Sequence, residues 1–271
     1  MNTHRSGVLP ALIGFNNNVD ADKRGDKMYL QDYFWFLGAF AVCMVFSVFA
    51  NAKIRSAFSK YDRVPNKRNM TGYDTAVRLM QANDVRGISI GRVKGQLSDH
   101  FDPKKRVVNL SESTYGQDSV AAVAVAAHEM GHVMQEKRGY LFYKIRTALV
   151  PVVNFGSRLA LPLVLIGLLI DIFASAATAN VGFYVALFGV ILYGGSFLFT
   201  LITLPVELNA SKRAKKMLVE EGILSKEELP GASKVLSAAA MTYLASLLTS
   251  LIYFLRFFVY VMTIFGRRNN R

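Results

Sequence analysis

Cysteine, histidine and acidic side chains are all scarce in this chain of 271 residues, which has one Cys, four His and 19 Asp plus Glu. Cys43 stands alone inside an apolar run, so no intramolecular disulfide can form and no cysteine cluster can hold a metal. Any metal site must therefore be built from histidine and carboxylate. Against the 19 acids stand 32 Lys and Arg, a formal net charge of +13 and a pI near 9.8. Such a balance points to an anionic neighbour, nucleic acid or lipid. No internal repeat or low-complexity tract is present. What is abundant is apolar: 52% of residues are hydrophobic and the mean hydropathy is +0.27, which is high for a soluble enzyme.

Four long apolar stretches cover 33–50, 148–174, 181–204 and 243–265. A helix needs about 20 apolar residues to cross a hydrocarbon core of about 30 Å, and each stretch comes near or exceeds that. They exclude a soluble nucleic-acid-binding protein and give the basic residues another role, in the positive-inside rule. The first stretch follows a long polar segment of mixed charge, 1–32, and precedes a basic one, so it is expected to stay as an anchor and not to be a cleaved signal peptide. Basic residues run from Lys53 to Arg146 and again over Lys212, Arg213, Lys215 and Lys216, while "SAATAN" (175–180) has no charge. The expected order is a polar N-terminal extension (1–32), an anchor (33–50), a cytoplasmic region (51–147), a transmembrane hairpin (148–204), a cytoplasmic helical segment (205–242) and a C-terminal membrane segment with its tail (243–271). The last segment is ambiguous. If it crosses, the basic tail "GRRNNR" ends on the outer side against the rule; otherwise 235–265 turns back as a re-entrant hairpin. Arg256 in its middle must face protein, water or the interface. The charged residues Arg158 and Asp171 in the second stretch are taken as structural, being too few and scattered to outline a transport pathway.

Within 51–147, the segment 51–70 reads as a basic connector carrying Pro65. "TGYDTAVRLMQAN" (71–83) opens on a good N-cap, Thr71, and puts Ala76, Leu79 and Met80 on one stripe, predicting a short amphipathic helix. "GISIGRV" (87–93) and "KRVVNLS" (105–111) are rich in β-branched residues and flank the turn-prone "SDHFDP" (98–103), predicting a strand pair. The fold class that results is mainly α: an integral-membrane helical bundle with a small α+β cytoplasmic element and a zincin-like helix.

That helix is "SVAAVAVAAHEMGHVMQ" (119–135), rich in helix formers and free of proline. His128 and His132 lie at i and i+4, neighbours on one face. The spacing lets two imidazoles bind one tetrahedral zinc while Glu129, one position round, reaches the metal's water as a general base and can return the proton to a leaving amine. Two surface histidines on an ordinary helix would match the same pattern by chance. Two features weigh against chance: the preceding residues are small and apolar, so the histidines are in a buried setting that demands partners, and Gly131 costs about 1 kcal/mol against alanine in a helix. The glycine makes sense if another backbone approaches there. A third ligand is expected from "LPVELNASKRAKKML" (204–218). Pro205 is expected to open a helix with Glu207 in its first turn, where an acid would also be favoured by the helix dipole. Two crossings return the chain to the side it left, so Glu207 can reach His128 and His132. Glu220, Glu221, Glu227 and Glu228 are weaker choices in charged surroundings.

"HEMGH" between apolar spans, "SDHFDP", "RVVNLS", "GYDTAVRLM" and "LPVELNAS" in this order resemble the YugP-type membrane zinc metallopeptidases, and more distantly the HtpX-like gluzincin peptidases. The resemblance covers roughly 28–271. It implies a multi-pass zinc metalloendopeptidase of the cell membrane, in the bacterial inner membrane with its site on the cytoplasmic side. It also implies one zinc per chain on His128, His132 and Glu207, with Glu129 as general base and a peptide or membrane protein as substrate. Where HtpX-like enzymes tend to carry an aspartate four residues after the ligand glutamate, this chain has Ser211, and Ser211 or Asn209 is expected to give a weaker hydrogen bond to a histidine. Residues 1–27 lie outside the resemblance and are expected to be an extension or an early start. His100 is expected in a turn near the cleft, either polarising a substrate carbonyl or simply at the surface, and His4 is expected to be solvated. "RVVNLS" is either a sheet edge to which an extended substrate adds or an ordinary hairpin strand. The rival function is a non-catalytic membrane scaffold with a structural or vestigial metal site, which has no need of Glu129.

Overall fold

The computed structural model describes the backbone of residues 9–173 and 179–268, with side chains over 34–170, at Phe173 and over 181–263. His4 with the rest of residues 1–8, the side chains of the polar extension, the side chain of Asp171, residues 174–178 and the end of the tail lie outside the described residues. In chain order the elements are α1 (Leu9–Asp62), α2 (Gly72–Ala82), β1 (Ser89–Val93), β2 (His100–Asp102), β3 (Val107–Ser111), α3 (Glu112–Tyr115), α4 (Val120–Lys137), α5 (Leu141–Phe173), α6 (Ala179–Glu220) and α7 (Leu229–Arg268). α1, α5, α6 and α7 each contain a stretch long and apolar enough to cross a membrane. The protein is a mainly helical membrane bundle carrying a small α+β element.

Each long helix runs past its apolar core. α1 continues through the basic residues after the anchor to Asp62, so the expected connector 51–70 shrinks to the residues after Asp62. Charged residues are good helix formers, and nothing before Pro65 interrupts the turn. Asn66, 1% exposed, ties that short connector down: its backbone N–H donates to Asp118 O at 2.8 Å, its amide donates to Met70 O at 2.8 Å and to Asp118 O. Ser119 caps α4 by accepting from Ala122 N–H at 3.1 Å and donates to Asp62 Oδ1 at 3.1 Å. α6 likewise runs unbroken from the apolar stretch into the basic segment, with Pro205 inside it. The expectation that Pro205 opens a new helix is therefore corrected: the missing N–H leaves only Leu201 O without its usual donor, a loss that a buried, packed helix tolerates. α7 is a single helix through 235–265, which removes the doubled-back hairpin. No helix breaker interrupts it there.

Between α1 and α4 sit α2 and the sheet. Thr71 and Asp74 form a reciprocal capping box at the start of α2, and Ala76 and Leu79 are fully buried against α4. The sheet differs from a simple strand pair. Its order is β1-β3-β2, with β1 parallel to β3 and β2 antiparallel to it. The expected turn thus contributes its own strand, and two strands joined by it run parallel because β2 takes the hairpin position. Leu79, Leu110, Met130, Leu218 and Ile223, each at most 1% exposed, form one core under the sheet; burial of side chains of this size stabilises by about 1.5–3 kcal/mol each. α4 lies at the middle of this core, packed on α2, α6 and α7.

Candidate metal centre

α4 is buried almost all round because its first turns carry only alanine and valine, with Ala121, Ala122, Ala124, Ala126 and Ala127 at 0% exposure. Small side chains let α6 approach closely. The approach is tightest at Gly131, where an added Cβ would stand 2.6 Å from Ala210 O of α6. This is the backbone neighbour that the glycine in the motif demanded, and it brings the His128/His132 face of α4 against Glu207.

His128 Nε2 lies 3.1 Å from Glu207 Oε2 and His132 Nε2 lies 3.4 Å from the same oxygen. One donor atom from each of the three residues falls within 4.8 Å of the others. Zinc bonds of about 2.0–2.1 Å in a tetrahedron put neighbouring donor atoms about 3.3 Å apart. The two separations match such edges, so this donor set fits a zinc ion. Glu207 is therefore in place, but from the interior of a long helix and not from a first turn; the helix-dipole explanation for its presence no longer applies.

The other nitrogen of each histidine also has a partner. Ser211 Oγ lies 3.2 Å from His128 Nδ1, and Gln135 Oε1 lies 3.0 Å from His132 Nδ1. With Nδ1–H donated to these oxygens, both Nε2 lone pairs point at Glu207 and are free for a metal. Asn209 acts one step further out. Its Oδ1 accepts from Gln135 Nε2 at 3.1 Å and from Arg213 Nε at 2.8 Å, while Gln135 Nε2 also donates to Val206 O at 2.7 Å. Fully buried Gln135 thus ties His132 to the backbone next to Glu207.

Glu207 Oε1 receives Arg146 Nη1 at 3.1 Å. Sequence reasoning passed over Arg146 and Gln135. Arg146 looked like one basic residue among many in a cytoplasmic stretch, and Gln135 like the polar end of a helix; only the i, i+3 spacing from His132 to Gln135 offered a hint.

Glu129, 6% exposed, opens on a cleft of about 1080 Å³ that also exposes His128, His132, Glu207 and Arg146. Burial pushes its carboxyl up to about 7; the charge of His128 opposes the shift and those of Glu207 and Asp99 add to it. A group held near neutrality beside a donor set can gain and lose a proton at working pH. Tyr143 and Tyr243 complete the inner wall.

His100 stands on β2, not in a turn, and lines the same cleft. Both of its ring nitrogens are taken: Nδ1 is 2.9 Å from Ser98 O and Nε2 is 3.1 Å from the Asn109 amide. The carbonyl of Ser98 can only accept, so Nδ1 carries the proton and Nε2 accepts. "RVVNLS" forms β3, the central strand, with both edges occupied; of its two readings the free edge is excluded and the ordinary paired strand stands. The edge strand at the cleft is β2, which rests on α4.

Two histidines and a glutamate from two closely packed helices, with a second glutamate beside them and four apolar spans around, are the features of a membrane protein of the zinc-peptidase kind. The chain belongs to the family described as "Putative neutral zinc metallopeptidase", whose model matches residues 36–262. It is 41% identical over 224 residues to "Putative membrane protease YugP" of Bacillus subtilis (strain 168), an alignment that covers 83% of this chain and 94% of that protein. No solved structure matches the chain.

Proposed function

We propose that this chain is a zinc-dependent endopeptidase that hydrolyses peptide bonds in membrane or membrane-near proteins, with its site on the cytoplasmic side of a bacterial inner membrane. In this reading His128 Nε2, His132 Nε2 and Glu207 Oε2 hold one zinc per chain and leave a fourth position open. When bound, zinc supplies Lewis acidity, which lowers the pKa of water to about 7 and polarises a carbonyl. The protein's own groups do the remaining work. Glu129 takes a proton from water on the cleft side and returns it to the nitrogen of the leaving amine. Ser211 and Gln135 keep the Nδ1 protons, and Arg146 occupies Glu207 Oε1 so that a single oxygen is presented to the ion. An extended substrate adds its main chain to the outer edge of β2, antiparallel or parallel, above α4.

The convergence of the three donor atoms within 4.8 Å, from helices distant in sequence, carries the proposal. The cytoplasmic assignment is supported by the two basic segments that flank the site. The test is elemental analysis of the detergent-purified full chain, with metal restored, beside Glu207→Ala and Glu129→Gln. About one zinc per chain in wild type and in Glu129→Gln, little in Glu207→Ala, and zinc-dependent proteolysis confined to wild type are expected. A wild type without zinc would favour the scaffold, and unchanged proteolysis in Glu129→Gln would overturn the mechanism.

A further inference from the structure

The long helices pack in an arc: α1 lies on α7, α7 on α6 and α6 on α5, and no packed interface between α1 and α5 is present among the described residues. The arc has one open side. The cleft of the metal centre reaches it, since Asn51 and Phe58 of α1 and Thr147 and Pro151 of α5 all line that cleft. α5 turns Gly156, Ala160, Val164 and Gly167 onto α6. Its opposite face therefore borders the open side. Seven residues make two helical turns, so Asn154 stands two turns beyond Thr147, and Arg158 two turns beyond Pro151, about 10 Å deeper in the span. Both are exposed. On α7 the exposed Ser246 stands one turn beyond the cleft-lining Thr242. A polar seam thus continues the cleft into the apolar part of the bundle.

Arg158 has no ion-pair or hydrogen-bond partner among the described residues. It lies 10 residues, or about 15 Å, from the nearer end of the apolar stretch 148–174, farther than its side chain can snorkel. A cation at that depth calls for an anion. A second copy of the chain in the same orientation does not supply one at that depth: Asp62 and Glu220 end their helices, Glu207 is bonded to Arg146, and Asp171 stands 13 residues, or about 20 Å, farther along the same helix than Arg158. Lipid phosphates stand at the interface and not at that depth, which leaves another membrane protein as the source.

We infer that the open side between α1 and α5 admits a membrane-spanning segment of a substrate protein, and that Arg158 selects segments carrying an aspartate or glutamate side chain. Arg146, at the depth of Glu207, and Arg158 are 12 residues apart on one helix, about 18 Å; an extended chain covers this in about five or six residues. The acid therefore sits about that far from the bond presented to Glu129. This substrate class rests on the peptidase function proposed above, but its test does not need turnover.

The experiment uses the full chain as Glu129→Gln, zinc-loaded, in phosphatidylethanolamine/phosphatidylglycerol vesicles, with a photo-reactive benzoylphenylalanine in place of Leu161. The probes are synthetic single-span Leu/Ala peptides with lysine flanks and a central Asp, Asn or Lys. The Asp peptide is expected to cross-link about tenfold more than the Asn or Lys twin, and Arg158→Gln is expected to abolish the preference while keeping its zinc. Equal yields from the Asp and Lys peptides on the unchanged protein, or adducts chiefly to lipid or to a second copy, would overturn the inference. Because the peptide series reads the preference without altering Arg158, a misfolded variant does not blur the result. A wild type that fails to cut a peptide it selectively cross-links would refute the peptidase reading and leave the docking seam standing.

Discussion

At the residue scale the centre turns on one carboxylate. Glu207 is 2% exposed at its side chain and shares its two oxygens among His128, His132 and Arg146. Arg146→Gln keeps a hydrogen-bond donor but removes the charge, and is expected to weaken zinc binding about 10–100-fold, as loss of a partner behind a metal ligand commonly does; competition with a fluorescent chelator measures it. Glu129 carries a pH signature of its own. In the metal-free protein its carboxyl titrates near 7, against an ordinary value of 4.5. Between those values the native state holds a proton that the unfolded chain has released, so this group's stabilisation is present below about pH 4.5 and is lost as pH rises to about 7. The full loss is on the order of 3 kcal/mol, at about 1.4 kcal/mol per pH unit. Denaturant unfolding of zinc-stripped wild type and Glu129→Gln at pH 5 and pH 7 should show the wild type losing stability relative to the variant. A parallel pH dependence in the two would remove burial of Glu129 as the cause.

At the element scale the site depends on how close α4 and α6 can come. Gly131 faces Ala210 O so closely that a methyl group has no room; the obstacle is backbone, which cannot rotate away. Gly131→Ala is expected to cost about 1–3 kcal/mol in stability despite alanine's better helix propensity, and to lower zinc affinity by parting the histidines from Glu207. Recovery of full zinc binding with a higher unfolding midpoint would contradict that. Gln135 is the second tie between the helices. Gln135→Leu fills a similar volume but leaves His132 Nδ1 without its partner and Val206 O with its helix bond alone, a cost of about 1–3 kcal/mol for a buried polar group, and isothermal titration with zinc should register weaker binding.

At the scale of the whole molecule, the four apolar helices and the basic segments between them set how the site faces the bilayer. With Cys43→Ser as background, a cysteine placed at Lys104 in the β2–β3 turn is expected to react with a membrane-impermeant maleimide only from the cytoplasmic face, and one placed at Ala177 only from the outer face. Labelling of both from one side would invert or break the assumed topology. The arc of helices adds a structural consequence: among the described residues α5 packs along its length on α6 and touches α4 only briefly, so its other flank is the surface a membrane-embedded partner meets.

The membrane class, the helix carrying His128 and His132, the capped helix beginning at Thr71 and the pairing of Glu207 with the two histidines were legible in the sequence, because hydropathy, helical periodicity and the count of crossings are local or additive properties. The continuity of α6 through Pro205 was not, since a proline's local cost is outweighed by packing that no single segment displays. Nor was the sheet order, which placed β2 and not β3 at the edge: strand pairing is settled by contacts between segments. The roles of Arg146 and Gln135 also awaited the tertiary structure. A side chain's chemistry is written in its type, but which buried oxygen it must satisfy is decided only when two distant helices are brought within hydrogen-bonding reach.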